Sequence, residues 1–185
     1  VILVDYWVSG VLSFSVFHWL WVLSVLFFSR DITTNVESAP GVADVQSGYD
    51  TTAPNSAVDA ITPYWKKAAA TITATASDGL SGVKNMTLYY QFSSNNASWG
   101  GWVSGGVDTA SPWSWNFSFS NGSGYYQFYS IAKDNVTNAE SAPGSADTQC
   151  GYDATAPNSS VNAISPYWKT SSPLTITATA TDATS

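Results

Sequence analysis

The chain has 185 residues, a net charge of −7 and a composition that is 15% aromatic but only 10% charged. So few basic groups on an acidic chain argue against nucleic acid and anionic membrane surfaces as partners. One cysteine, Cys150, excludes an internal disulfide and a thiolate metal cluster.

Residues 1–29 are apolar. Tyr6–Ser29 carries no charge apart from His18 when protonated, and a bilayer takes about 20 such residues. A signal peptide does not fit, because Asp5 precedes the stretch, no basic n-region exists and no A-x-A site follows. One reading is a membrane anchor at Tyr6–Ser29, the only feature that would give this chain a membrane partner. A second reading depends on a repeat further along.

Glu37–Asp78 and Glu140–Asp182 are near copies, with Trp65 and Trp168 lying 103 residues apart and one extra residue before Thr175. Arg30-Asp31 matches Lys133-Asp134 at the same spacing, which sets residues 19–27 opposite Gly122–Ser130. Tryptophan has one codon, TGG. A one-base forward shift turns Trp19 and Trp21 into glycine, the residue at 122 and 124, and permits every other residue of GSGYYQFYS. Further upstream the shifted codons cannot give counterparts of Trp113 or Trp115. On this reading residues 1–29, or at least Phe14–Ser29, are the preceding repeat's last strands in the wrong frame.

A period near 100 exceeds the ~20–50 residues of solenoid units. It suits one small domain per repeat, a size that buries its own core. The organisation expected is a C-terminal strand of a preceding repeat at 30–49, a complete repeat at 50–152 and the start of a following one at 153–185.

Thr, Ser, Ala and Asn set among aromatics favour pleated strands, and period-2 alternation marks them in order. A first strand is expected over Ser56–Ile61. Ile72, Ala74 and Ala76 then alternate with Thr71, Thr73, Thr75 and Ser77. Met86, Leu88, Tyr90 and Phe92 share the next apolar face, and a short strand follows near Trp102–Ser104. Trp113, Trp115, Phe117 and Phe119 alternate with Ser114, Asn116 and Ser118. Tyr126, Phe128, Ser130 and Ala132 alternate with Tyr125, Gln127, Tyr129 and Ile131. A last strand is expected over Ser145–Gln149, the copy of Val42–Gln46. Turn residues separate the runs at Thr62-Pro63, Asp78–Gly82, Gly100-Gly101, Gly105-Gly106 and Asn121–Gly124. About seven strands in ~100 residues is the count of an immunoglobulin-like antiparallel β-sandwich, so the fold expected is all-β, in tandem repeats.

Three groups of residues carry a family resemblance. They are Asp50-Thr51-Thr52-Ala53-Pro54, Asp78-x-x-Ser81-Gly82-Val83, and Gly124-x-Tyr126-x-Phe128-x-x-x-Ala132-x-Asp134-x-x-x-Asn138. With these motifs the chain over Arg30–Ser185 resembles the tandem Ig-like, fibronectin-type-III-like repeats of bacterial and archaeal surface proteins. Thr137 stands where that pattern commonly has glycine, which puts the turn before Asn138 in question. The resemblance implies an exported, modular protein whose repeats act as spacers or adhesive segments. Six Asn-x-Ser/Thr sequons, at Asn85, Asn96, Asn116, Asn121, Asn135 and Asn158, fit an exported chain, although Asn- and Ser-rich loops also generate them by composition.

Candidate sites are few. Asp50, Asp78 and Asp134 fall in or beside connections that share one pole of such a sandwich, where hard oxygen ligands would suit calcium. The alternative is that each closes its own turn as an Asx-turn. Among the aromatics, Trp113 and Trp115 share a face with Phe117 and Phe119 and are expected in the core. Trp99 and Trp102 lie in a Gly-rich loop and are the better candidates for stacking on sugar rings. The recurring Pro63-Tyr64-Trp65 suits repeat packing equally well. Catalysis finds little support: the one histidine, His18, lies outside the repeat, so no Ser-His-Asp or Cys-His arrangement can be built there.

The function expected is a non-enzymatic extracellular or cell-surface spacer or adhesion segment. Its partners would be neighbouring repeats and surface polysaccharide or protein. The alternative is a carbohydrate-binding accessory module of a secreted enzyme. Sequencing the encoding DNA across codons 1–30 separates the two readings of the apolar segment. A single-base correction that restores a strand like Gly122–Ser130 removes the anchor, and an unbroken apolar frame keeps it.

Overall fold

A computed structural model describes residues 45–183, together with the backbone of Ile2–Leu3 and Val22–Leu26. Every helix or strand among these residues is a strand, and no helix among them is long and apolar enough to cross a membrane. The chain divides into two compact units, Val1–Thr52 with Gly79–Ser81, and Ala53–Asp78 with Gly82–Ser185.

In the first unit β1 (Ile2–Leu3) runs parallel to β2 (Val22–Leu26), and β2 pairs antiparallel with β3 (Val45–Gly48). Val22–Leu26 of the candidate anchor is therefore strand. The rest of Tyr6–Ser29, and Arg30-Asp31, lie outside the described residues.

The second unit holds β4 (Asn55–Val58), β5 (Trp65–Lys66), β6 (Ala70–Ser77), β7 (Val83–Ser93), β8 (Val103–Asp108), β9 (Ser114–Phe117), β10 (Gly124–Asp134) and β11 (Thr148–Tyr152). It closes with β12 (Asn158–Val161) and β13 (Ala178–Thr181). Three strands form a sheet in the order β4-β6-β9, and five form a second in the order β5-β11-β10-β7-β8. All these pairings are antiparallel except that of β5 with β11.

The two sheets enclose one core. Val58, Ile72, Ala74, Trp115 and Phe117 from the first pack with Met86, Leu88, Tyr126, Phe128 and Ala132 from the second. Phe117 joins them, its ring centroid 5.0 Å from that of Phe128 and 4.8 Å from that of Tyr90, both edge-on. Such aromatic pairs add about 0.5–1.5 kcal/mol each to the burial of their area.

Where the sheets part at β4 and β10, loop carboxylates take the place of ladder partners. Glu140 accepts the N–H of Ser56 (3.0 Å) through Oε1 and that of Ala132 (3.1 Å) through Oε2. Asp147 Oδ2 accepts those of Val58 (2.9 Å) and Ser130 (3.2 Å). A part-buried N–H left without an acceptor costs about 1–3 kcal/mol. Glu140 and Asp147 of the second ESAPG-x-A-D segment thus clip one sheet to the other.

Element bounds differ from the alternation pattern in places. The first strand of the complete repeat spans Asn55–Val58 rather than Ser56–Ile61, and β11 begins at Thr148, three residues beyond the expected start. The strand expected near Trp102–Ser104 runs on to Asp108. β5 was not expected at all. Two residues carry no period, and the pairing of Gly151 with Trp65 spans most of the repeat.

Corresponding strands keep corresponding registers. Asn158 pairs with Thr181 and Val161 with Ala178, as Asn55 pairs with Ser77 and Val58 with Ala74. The extra residue of the second copy therefore falls between the strands. Val22 pairs with Gly48 as Tyr125 pairs with Gly151, so β2 meets β3 in the register with which β10 meets β11.

In the turn after β10, Thr137 adopts a φ of 79°. A β-branched residue in the left-handed region is strained by about 1–3 kcal/mol. Glycine removes that strain and gives back part of the gain as chain entropy. Thr137→Gly is expected to stabilise the repeat by about 1 kcal/mol, read as a melting temperature about 4–8 °C higher.

Candidate functional site

The acids come first. Asp134 is fully buried at the end of β10. Its Oδ1 accepts the N–H of Val136 (3.0 Å) and of Asn138 (2.7 Å), and its Oδ2 accepts Asn138 Nδ2 (2.7 Å). Asp78 Oδ2 accepts the N–H of Gly82 at 2.7 Å. Both acids belong to the second unit, and each offers a carboxylate oxygen within 4.8 Å of the other. Asp50 belongs to the first unit, where it accepts the N–H of Thr52 (2.9 Å), the hydroxyl of Thr52 (3.0 Å) and the N–H of Ser81 (3.0 Å).

The hydrogen bond from the Thr52 N–H, with those from Ser81, lowers the ionisation of Asp50 from 3.8 to about 2. A lowered carboxyl contributes stability above its unfolded value. That contribution fades as pH falls from about 4 towards about 2.

The bonds from Thr52 and Val136, each two residues on, are of the Asx-turn kind. Asp78 instead reaches Gly82 four residues on, and Asp50 reaches Ser81 in a distant loop. Asp78 and Asp134 are the residues of the second unit that could hold a hard cation, but calcium takes about 6–8 oxygens.

The sheet's outer face gathers the aromatics. Trp113 and Trp115 are buried in the core, as their shared face with Phe117 suggests. Trp102 is exposed and sets its ring edge-on to Tyr129, centroids 4.3 Å apart, while Tyr89 stacks on the same Tyr129 at 5.1 Å. Trp99 is half-buried in the loop between β7 and β8. Tyr64 and Trp65 stand beside β11, 39% and 37% exposed, and the Trp65 ring lies 5.6 Å from that of Tyr125.

Between these rings runs a row of carboxamides. Gln91 on β7, Gln127 on β10 and Gln149 on β11 are directly opposite one another in register. Gln91 Nε2 donates to Gln127 Oε1 (2.7 Å), and Gln127 Nε2 donates to Gln149 Oε1 (2.9 Å). Gln149 Nε2 donates to the hydroxyl of Tyr64 (2.7 Å) and to Asn96 Oδ1 (2.9 Å). The sequence reading missed this row. Period-2 parity sets each glutamine outward, but only the pairing register sets the three side by side.

Cys150 is fully buried on the inner face of β11, and burial pushes its thiol up to about 11. It is protonated at neutral pH and unsuited to nucleophilic work. No protein-family model matches the chain, and no curated protein matches it either.

Turn N–H groups already occupy Asp78 and Asp134, so millimolar calcium is expected to leave the melting temperature unchanged. A rise would mean that the carboxylates exchange those donors for the ion, since binding to the folded state must stabilise it.

Proposed function

We propose that this chain is a run of tandem Ig-like repeats from an extracellular surface protein, acting as a non-enzymatic spacer and adhesion segment. Packing β4-β6-β9 against β11-β10-β7 corresponds to the central strands of an Ig-like sandwich. Tyr126, near the start of β10, donates its phenol to the carbonyl of Gly122 at 2.8 Å, a bond of the tyrosine-corner type. Burial pushes that phenol's ionisation up to about 12.

The observation that carries the proposal is the second copy. It begins at Asp153, the residue after β11, and carries the antiparallel pair β12-β13. Lys169 Nζ donates to the Ser165 carbonyl as Lys66 Nζ does to that of Thr62, at 2.7 and 2.9 Å. Asp153 accepts Thr155 as Asp50 accepts Thr52. The joint itself is bonded, with Asp153 N–H on the Lys66 carbonyl at 2.8 Å. Trp65, Lys66 and Lys67 of one copy line a shared cavity with Asp153, Thr155 and Asp182 of the next.

Repeats joined in this way hold a direction, as a spacer requires, whereas flexible linkers let it decay. The test is small-angle X-ray scattering from polypeptides with one, two and four copies of residues 50–152. A maximum dimension that grows by a constant increment is expected. Growth with the square root of copy number, the behaviour of a flexible chain, would overturn the spacer reading.

A further inference from the structure

We infer that the outer face of the five-stranded sheet binds a neutral polysaccharide, laid across β7, β10 and β11 along the Gln91–Gln127–Gln149 row. The inference deepens the adhesive half of the proposed function and names its ligand class. A polysaccharide offers two chemistries at once: C–H faces that stack on aromatic rings, and hydroxyl groups that need donors and acceptors at their edges. The face supplies both.

Trp65 is the stacking surface. The Gly151–Trp65 pairing seats its ring on the β11 backbone, where a Cβ at residue 151 would lie 2.3 Å from Cε3 and Cζ3. Only glycine admits the ring so close. Strands rather than a loop therefore fix the indole, and rigid placement lowers the ordering cost of binding. Tyr64 and Tyr125 flank it at centroid distances of 5.6 Å.

The carboxamides supply the polar edge. Each has two protons and two lone pairs, so the bonds that align the row leave Gln91 and Gln127 a second N–H for a hydroxyl. At a strand spacing of about 4.8 Å the row covers about 10 Å from β7 to β11, across the strands. That suits an extended chain lying over the sheet.

Charge and geometry select the occupant. Tyr64, Trp65, Tyr125, Gln91, Gln127 and Gln149 include no Asp, Glu, Lys or Arg, on a chain of net charge −7, which favours a neutral glycan over an anionic one. A strand-like peptide would need a free sheet edge for its backbone bonds, and this is a sheet face. A second copy of the chain would need a contiguous apolar patch, which the carboxamide row interrupts.

The experiment is native affinity electrophoresis of the full 185-residue chain in gels containing hydroxyethylcellulose, galactomannan or xyloglucan, with alginate as the anionic control. We expect retardation in at least one neutral gel and none in alginate. Trp65→Ala and Gln127→Ala should each weaken the interaction about tenfold, with near-UV circular dichroism showing that each variant is folded. If Trp65→Ala fails to fold, Trp65→Leu tests the same ring.

Mobility unchanged in every neutral gel overturns the inference, as does retardation that both substitutions leave intact or that alginate matches. A dimer in sedimentation equilibrium that Gln127→Ala dissolves would reassign the face to self-association. Arrays that lengthen by constant increments without retardation would remove this inference alone. Retardation by arrays that scatter as flexible chains would remove the spacer reading alone.

Discussion

The pairing of β7 with β10 is the constraint on which the rest depends. These are the two longest strands, and their register sets Phe128 opposite Tyr90 and Ser130 opposite Leu88 on the inner side. The same register sets Gln127 opposite Gln91 and Tyr129 opposite Tyr89 on the outer side. Because side chains alternate with a period of two, a slip of one residue would exchange the faces. Tyr126 and Phe128 would move to water, and the glutamines would move into the aromatic core. The core that stabilises the repeat and the outer face that carries the carboxamide row are therefore specified by one set of backbone bonds.

Acidic side chains are the second organising element, and their work is to accept backbone N–H groups. Asp134 and Asp78 gather N–H groups of their own turns, while Glu140 and Asp147 gather those of strands that have left their neighbours. Each carboxylate accepts from backbone donors that strand pairing leaves over, and charged acceptors make the stronger hydrogen bonds. Acids outnumber bases 13 to 6 in the chain. In the complete repeat much of that excess closes turns and clips sheets.

Much of the fold was legible before any coordinates. The alternation in ATITATAS, in Met86–Phe92 and in Tyr126–Ala132 gave the correct inner face in each case, because a pleated strand buried on one side leaves that imprint. Trp113 and Trp115 were rightly set in the core on the same ground. What failed had no period to read. β5 is two residues long and takes its partner from the far end of the repeat. The limits of β4 and β11 depend on where Glu140 and Asp147 take over from the ladder. Trp102, expected exposed in a Gly-rich loop, is exposed, and one edge covers Tyr129.

The sequence by itself determined the repeat, its length, the all-β class and the parity of each long strand. Copy number and alternation are properties of the chain that no neighbour can alter. Only the tertiary structure decided which side chains from different strands stand next to one another. Gln91, Gln127 and Gln149 become a row through two hydrogen-bond registers. Trp65 meets Gly151 through a parallel pairing across the repeat. Proximity of that kind is created by long-range backbone pairing, and it leaves no mark on local sequence.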